Sequence, residues 1–199
     1  MKLYRTELSQ QFVDHFLKTL QFSEEDFETA ISYFRREYIP KKFFYLKAGD
    51  VCRQIAYLNK GCTRNYVMDE KGGEHILFFA FEDWWVGDLE SIYTGNPGNL
   101  YIQAMEDCEL LCISIADMEK LEALFPSFKE WHADKKQKSL HANIRRLSEV
   151  KSFSPEERYL KLMKKHPQVF QRIPLQYIAM YLDIEPPSLS RLRKRLSVK

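Results

Sequence analysis

No Lys or Arg occurs between Lys71 and Lys120. A segment without cations cannot neutralise a buried phosphate from its own side chains, and an uncompensated buried charge is costly. Long apolar runs are missing too. No stretch approaches the roughly eighteen uncharged apolar residues of a membrane-spanning helix. The N-terminus, MKLYRTELSQQFVDHF, has acidic residues where a secretory apolar core would lie. The chain is therefore read as soluble, not exported, cytoplasmic and without a membrane partner. Cys52, Cys62, Cys108 and Cys112 are too few to staple 199 residues with disulfides, and inside a cell they are expected to be reduced. No Gly-rich phosphate loop, nucleophile elbow or HExxH pair is present. Enzymatic activity, a metal and a cofactor are accordingly not expected.

What is present is enough apolar material for real cores: 45% hydrophobic and 14% aromatic residues. The net charge of +2 conceals an asymmetry. Residues 1–150 carry 19 Lys and Arg against 24 Asp and Glu, whereas residues 151–199 carry 11 against 4. A basic module on an acidic body points to a polyanionic partner for the C-terminal part, or else to a solvated basic tail.

Leu8, Phe12, Phe16 and Leu20 recur every fourth residue and predict a helix with one apolar stripe. Ser23, with Asp26 three residues on, predicts the start of a second. Both are expected to end before Ile39-Pro40. From about 41 to 113 the pattern changes to short β-branched and aromatic runs: FFYL, QIAYL, RNYVM, HILFFAF, LYIQAM and CELLCIS. They are separated by turn signals such as Ala48-Gly49-Asp50, Asn59-Lys60-Gly61 and Asn96-Pro97-Gly98-Asn99. Such spacing predicts a sandwich or jelly-roll-type barrel, and with the helices an α+β protein. Ser114 then caps a short helix, and Pro126 opens one reaching about Val150. Along it, Ala133, Gln137, Leu140, Ile144 and Leu147 alternate four- and three-residue spacings. That seam, with Leu140, Ile144 and Leu147 as its apolar half, suits a partner helix; packing on the β-module is the other option. Ser154-Pro155-Glu156-Glu157 combines a capping Ser, Pro at the first helical position and Glu at the third. The divisions read from these signals are 1–125, 126–150 and 151–199.

Residues 174–196, PLQYIAMYLDIEPPSLSRLRKRL, predict two short helices crossing closely. Ile178, Ala179 and Leu182 line the first; Ala179 leaves room for the crossing. Asp183-Ile184-Glu185 makes the turn, with Ile184 as plug, and Pro186 starts the second helix. There Leu189, Leu192 and Leu196 share one face, while Pro187, Ser190, Arg191 and Lys194 face the other way, flanked by Ser188 and Arg195. Leucines behind, with hydroxyls and arginines in front, suit the major groove of double-stranded DNA, or describe an ordinary basic amphipathic hairpin. On the DNA reading, Arg191 contacts a base, while Ser188, Arg193, Lys194 and Arg195 hold phosphates.

In order along the chain, YLKAGD, YLNKG, DEKGGEHILFFAF, VGDLES, CELLCIS, the long helix and the two-helix motif resemble the Crp/Fnr family of bacterial regulators. The resemblance implies N-terminal helices on a double-stranded β-roll sensor domain of the cyclic-nucleotide-binding type. It further implies a homodimer along the long helix, a C-terminal helix-turn-helix, and transcriptional control at palindromic DNA sites. RNA polymerase and a small-molecule effector of unknown identity are candidate partners. Trp85, Gly87, Asp88, Gly98 and Asn99 fall around the effector pocket. Departures accompany the likeness. Relatives that bind cyclic AMP use a Gly-Glu pair and an Arg followed by a hydroxyl residue; here stand Gly87-Asp88 and Gly98-Asn99. The expectation is that cyclic AMP is not bound in the usual way. Pro186 and Pro187 replace polar base readers and Pro174-Leu175 replace phosphate-touching residues, whereas Arg191 matches the base-contacting arginine. The sequence stops at Lys199, before a β-hairpin wing, which predicts weaker DNA binding with a flatter salt dependence.

Among other chemistries, Cys108-x-x-x-Cys112 is read as core packing rather than a metal or iron–sulfur site, since residues 1–51 hold no cysteine. His75 is read as a structural or surface residue rather than a haem ligand. The contrasting function is a ligand-sensing β-roll whose C-terminal module binds a protein.

Overall fold

The computed structural model describes residues 3–197, without side-chain detail at Asn143, Leu147, Val150, Lys151 and Ser197. Two compact units form: residues 1–67 with 79–135, and residues 68–78 with 136–199.

In the first unit, α1 (Gln10–Asp14) runs into a π-helical turn, His15–Thr19, and α2 (Glu24–Ile31) follows. Ser9 caps α1 by accepting from the Phe12 amide. Ser23 and Asp26 form the reciprocal capping box that their spacing predicts. The expected stripe is buried, with Phe12 and Phe16 1% and 0% exposed. The π turn widens the helix at Phe16, whose ring meets those of Phe12, Phe22, Phe27, Phe34 and Phe128 at 5.0–6.3 Å.

Eight strands follow: β1 (Arg35–Ile39), β2 (Phe44–Leu46), β3 (Gln54–Lys60), β4 (Thr63–Met68), β5 (Glu74–Ala80), β6 (Trp85–Val86), β7 (Tyr101–Ala104) and β8 (Cys108–Ser114). They build two four-stranded sheets, ordered β1-β8-β3-β6 and β2-β7-β4-β5. The first sheet is covered on both faces. Ile55, Tyr57, Leu111 and Ile113 pack with the N-terminal helices. By strand alternation Ala56, Leu58, Leu110 and Cys112, all at most 1% exposed, lie on the other face. There the second sheet offers Leu46, Thr63, Asn65, Ile102 and Ala104.

Two strands were not expected from the sequence. β1 reads RREYI, and its charges are consumed in pairing: Arg36 bridges Glu7 at 3.0 Å and Glu109 at 3.3 Å. β6 has two residues, too few for any periodicity.

After α3 (Leu89–Thr94), between β6 and β7, the helices are α4 (Ile115–Leu124), α5 (Pro126–Ser152), α6 (Pro155–Lys165), α7 (Val169–Arg172), α8 (Leu175–Tyr181) and α9 (Pro186–Ser197). At 27 residues, α5 is about 40 Å long. Ser154 and Glu157 form the expected capping box of α6. No helix among the described residues is long and apolar enough to cross a membrane.

Candidate functional site

Two regions bear on function. The first surrounds the start of α3. Gly87 and Asp88 follow β6, and the Asp88 carboxylate caps α3 by accepting from the Ser91 amide at 3.1 Å. An anionic cap suits the positive end of a helix and satisfies an otherwise orphaned N–H. Ser91 ties the cap inward: its hydroxyl donates to the Asn96 carbonyl at 2.6 Å and accepts from the Cys52 amide at 2.9 Å. Gly98 is held by backbone bonds on both sides, donating to the Asp50 carbonyl and accepting from the Gly49 amide.

Asp88 and Gly98 touch. A Cβ on Gly98 would lie 2.0 Å from the Asp88 Oδ2 and 3.3 Å from the Ser91 Cβ. The glycine is required by this close approach, since its backbone is not left-handed. Gly98→Ala is therefore expected to push the 7% exposed Asp88 off its cap. The expected loss is about 1–3 kcal/mol of unfolding free energy, the usual range for overpacking. Urea denaturation measures it, and an unchanged midpoint would show that the carboxylate yields freely.

Gly87, Asp88 and Gly98 are thus brought together; Asn99 is exposed beside them. Trp85 does not join them, which corrects its assignment to the pocket. In the β3–β6 pair it stands opposite Tyr57. Its ring meets Phe34, Tyr57 and Trp131 at 6.1, 5.4 and 6.1 Å, in the layer that carries the helices. An open groove of about 530 Å³ lies nearby, lined by Arg35, Tyr45, Asp50, Cys52, Arg53 and Gln54 among others. None of these was singled out from the sequence, where the loop after YLKAGD registers only as a turn. Arg35 is already engaged there, donating to Glu37 at 3.1 Å and Gln54 at 2.5 Å.

All four cysteines are buried and unbridged, as core packing predicts. Burial pushes the Cys108 thiol up to about 11 and raises those of Cys52 and Cys112 as well. His75 is exposed and pairs with Asp69 at 2.9 Å. Among the described residues, no three His, Cys, Asp or Glu side chains gather as a metal site would require.

The second region is the α8–α9 pair. Ile178, Ala179 and Leu182 are 0%, 0% and 2% exposed, and Leu189 and Leu192 of α9 are buried against them. Asp183 takes a left-handed φ of 54° in the turn. The next amide, Ile184, donates to the Ala179 carbonyl at 3.1 Å, closing the connection. On the outer side Ser190, Arg191, Arg193, Lys194 and Arg195 are exposed and Ser188 is half-buried. Arg191 donates to the Ser188 hydroxyl at 3.0 Å, which holds its guanidinium over the first turn of α9. Arg195 is paired with Glu156 of α6. That carboxylate competes with any phosphate for Arg195. On α5, Leu140 and Ile144 are 58% and 53% exposed, while the third seam residue, Leu147, has its side chain outside the described residues.

Residues 36–123 match the family model of the cyclic nucleotide-binding domain. No curated protein is similar enough in sequence to be recognised as a relative. Among solved structures, the fold is shared with the c-di-GMP-responsive global regulator CLP of Xanthomonas campestris. The TM-score is 0.70 at 18% identity, covering 88% of this chain and 92% of that one. FixK2 from Bradyrhizobium japonicum gives 0.72 at 13% identity, over 83% and 85% of the two chains. The catabolite activator protein of Thermus thermophilus gives 0.57 at 18%, over 88% and 84%. The domain match and these neighbours agree with the Crp/Fnr-type resemblance, and the β-roll followed by helices is the architecture it implies.

Proposed function

We propose that this chain is a homodimeric, sequence-specific DNA-binding transcription regulator of the Crp/Fnr type that does not respond to cyclic AMP through the usual phosphate contacts. The observation that carries the first part is α9. Leu189 and Leu192 are buried against α8, and Ser190, Arg191, Arg193 and Lys194 stand on the solvent side at helical spacing. A rigid cationic ridge backed by an apolar face can enter a major groove, where phosphates fix register and Arg191 has the geometry for guanine O6 and N7. The exposed Leu140 and Ile144 support pairing through α5, because large apolar side chains on a narrow stripe gain by covering one another. A two-fold dimer then presents two α9 helices to successive major grooves, about 34 Å apart.

The test is a binding titration of the purified protein against labelled genomic duplex fragments over a range of salt. Retention that weakens with log salt, with a slope near 0.9 per phosphate neutralised, is the expected result. No retention even at low salt would favour the contrasting function, a sensor whose basic module docks on a protein.

The second part rests on the Asp88–Gly98 contact. The hydrogen-bond partners of Asp88 and Gly98 are Ser91, Cys52, Gly49 and Asp50, none of them a cation, while Arg35 and Arg53 line the neighbouring groove. A cyclic phosphate placed against Asp88 would meet a buried carboxylate, and Arg35 of the neighbouring groove is already engaged by Glu37 and Gln54, which makes such binding unfavourable. Calorimetric titration with cyclic AMP is expected to give no heat of binding. Micromolar affinity would overturn the proposal.

A further inference from the structure

Within the second unit, one arginine is placed at unusual expense. Arg146 of α5 is half-buried, with its Nη1 out of contact with solvent. Its Nη2 donates to the Ile76 carbonyl at 2.7 Å and, more weakly, to the Tyr181 carbonyl at 3.4 Å. Its Cζ lies 3.8 Å from the centroid of the Tyr181 ring. The Nη1 is buried and has no hydrogen-bond partner among the described residues. Among the described residues no carboxylate forms an ion pair with the guanidinium: Glu149, the acid that acts on it electrostatically, lies 3.6 Å from Lys161. Burial accordingly lowers the Arg146 pKa, although an arginine remains charged.

A half-buried cation held by carbonyls and a ring face is a poor way to gain stability, because desolvation opposes the attraction. What such a group does well is fix geometry, since a planar fork can satisfy two directions at once. The elements it joins are informative. Ile76 belongs to β5, at the tip of the β4–β5 hairpin, whose strands run on from the first unit of the chain. Tyr181 is the last residue of α8, the helix that precedes the recognition helix. Its carbonyl belongs to the negative helix end, where cations are favoured. Arg158 of α6 donates to the next carbonyl, Leu182, at 2.7 Å. Immediately beyond lies the Asp183 turn that sets the direction of α9.

We propose that Arg146 is a positioning residue that couples the β4–β5 hairpin to the C-terminal end of α8, so that displacing the hairpin reorients the helix-turn-helix. A displacement of the hairpin tip then reaches the end of α8 through Arg146. The consequence for DNA affinity rests on the function proposed above; the mechanical coupling does not.

The hairpin can be loosened without touching Arg146. Asp69 organises its turn by accepting from the Lys71 and Gly73 amides at 2.9 and 2.8 Å and by pairing with His75. Hydrogen exchange is followed by mass spectrometry in the full chain for Asp69→Ala, Arg146→Met and the double variant. In the otherwise native protein, Asp69→Ala is expected to speed exchange at 178–184 about five-fold or more, the lower range of allosteric coupling. In the Arg146→Met background the same substitution is expected to leave that segment unchanged. Should Arg146→Met fail to fold, Arg146→Lys serves in its place; it keeps the charge but cannot fork, and is expected to weaken the coupling. An equal effect in both backgrounds, or none in the native background, overturns the proposal. Coupled exchange in a protein that retains no DNA at low salt would uphold the latch and reject the DNA-reading function.

Discussion

Arg191→Ala is expected to weaken binding to the preferred duplex by about 1–3 kcal/mol, roughly 5- to 150-fold, and to relax sequence preference at one position of each half-site. The reason is geometric. Arg191 stands on the solvent side of α9, with its guanidinium held by the Ser188 hydroxyl. A bidentate donor preset in this way discriminates guanine from the other bases, and alanine removes both prongs. Arg193→Ala is the natural control. A phosphate contact carries no sequence information, so its loss should weaken all duplexes alike and lower the salt slope by about one. Competition titrations with single-base variants of the site separate the two effects. If Arg191→Ala merely weakens every sequence equally, the base contact belongs to another residue.

Phe16→Ala is expected to remove about 3–5 kcal/mol of stability, the range for truncating a buried aromatic ring. Most domains have only about 5–15 kcal/mol in total, so the loss is a large share. Phe16 is 0% exposed and meets five other phenylalanines, which come from α1, from α2 and the residues on either side of it, and from α5. Their rings converge from three directions, so collapse around the vacancy is difficult and the cavity term should be near its maximum. Equilibrium unfolding in urea measures this. A shift below about 1 kcal/mol would mean that the aromatic cluster repacks as a fluid rather than as a fixed core.

Much of this architecture is legible in the chain because local chemistry and tertiary role agree. The Gly-punctuated runs become strands, Ser23 and Ser154 cap the helices where they should, and Ile178, Ala179 and Leu182 bury the inner face of α8. β1 escapes notice because Arg36 is neutralised by partners distant in sequence, Glu7 and Glu109, and Arg35 pairs with Glu37 of the same strand. Hydrophobic periodicity cannot register a strand that is covered by ion pairs. Trp85 is misplaced for a related reason: a one-residue difference in register decides which face of a strand a side chain occupies, and nothing beside Trp85 fixes that register in advance. The contact between Asp88 and Gly98 is likewise invisible in the sequence, and so is the role of Asp88 as the cap of α3. Arg146 and Arg158 look like surface charges on helices. Only the approach of the Ile76, Tyr181 and Leu182 carbonyls from other elements draws them half into the protein.

The four cysteine thiols of this protein are buried, and at three of them burial suppresses ionisation. Nucleophilic attack and peroxide oxidation both proceed through a thiolate, so the folded molecule offers almost none. Chemical modification must then wait for the β-roll to open. The four cysteines thereby act as an internal clock, whose rate of labelling counts excursions of the sensor domain away from its closed form.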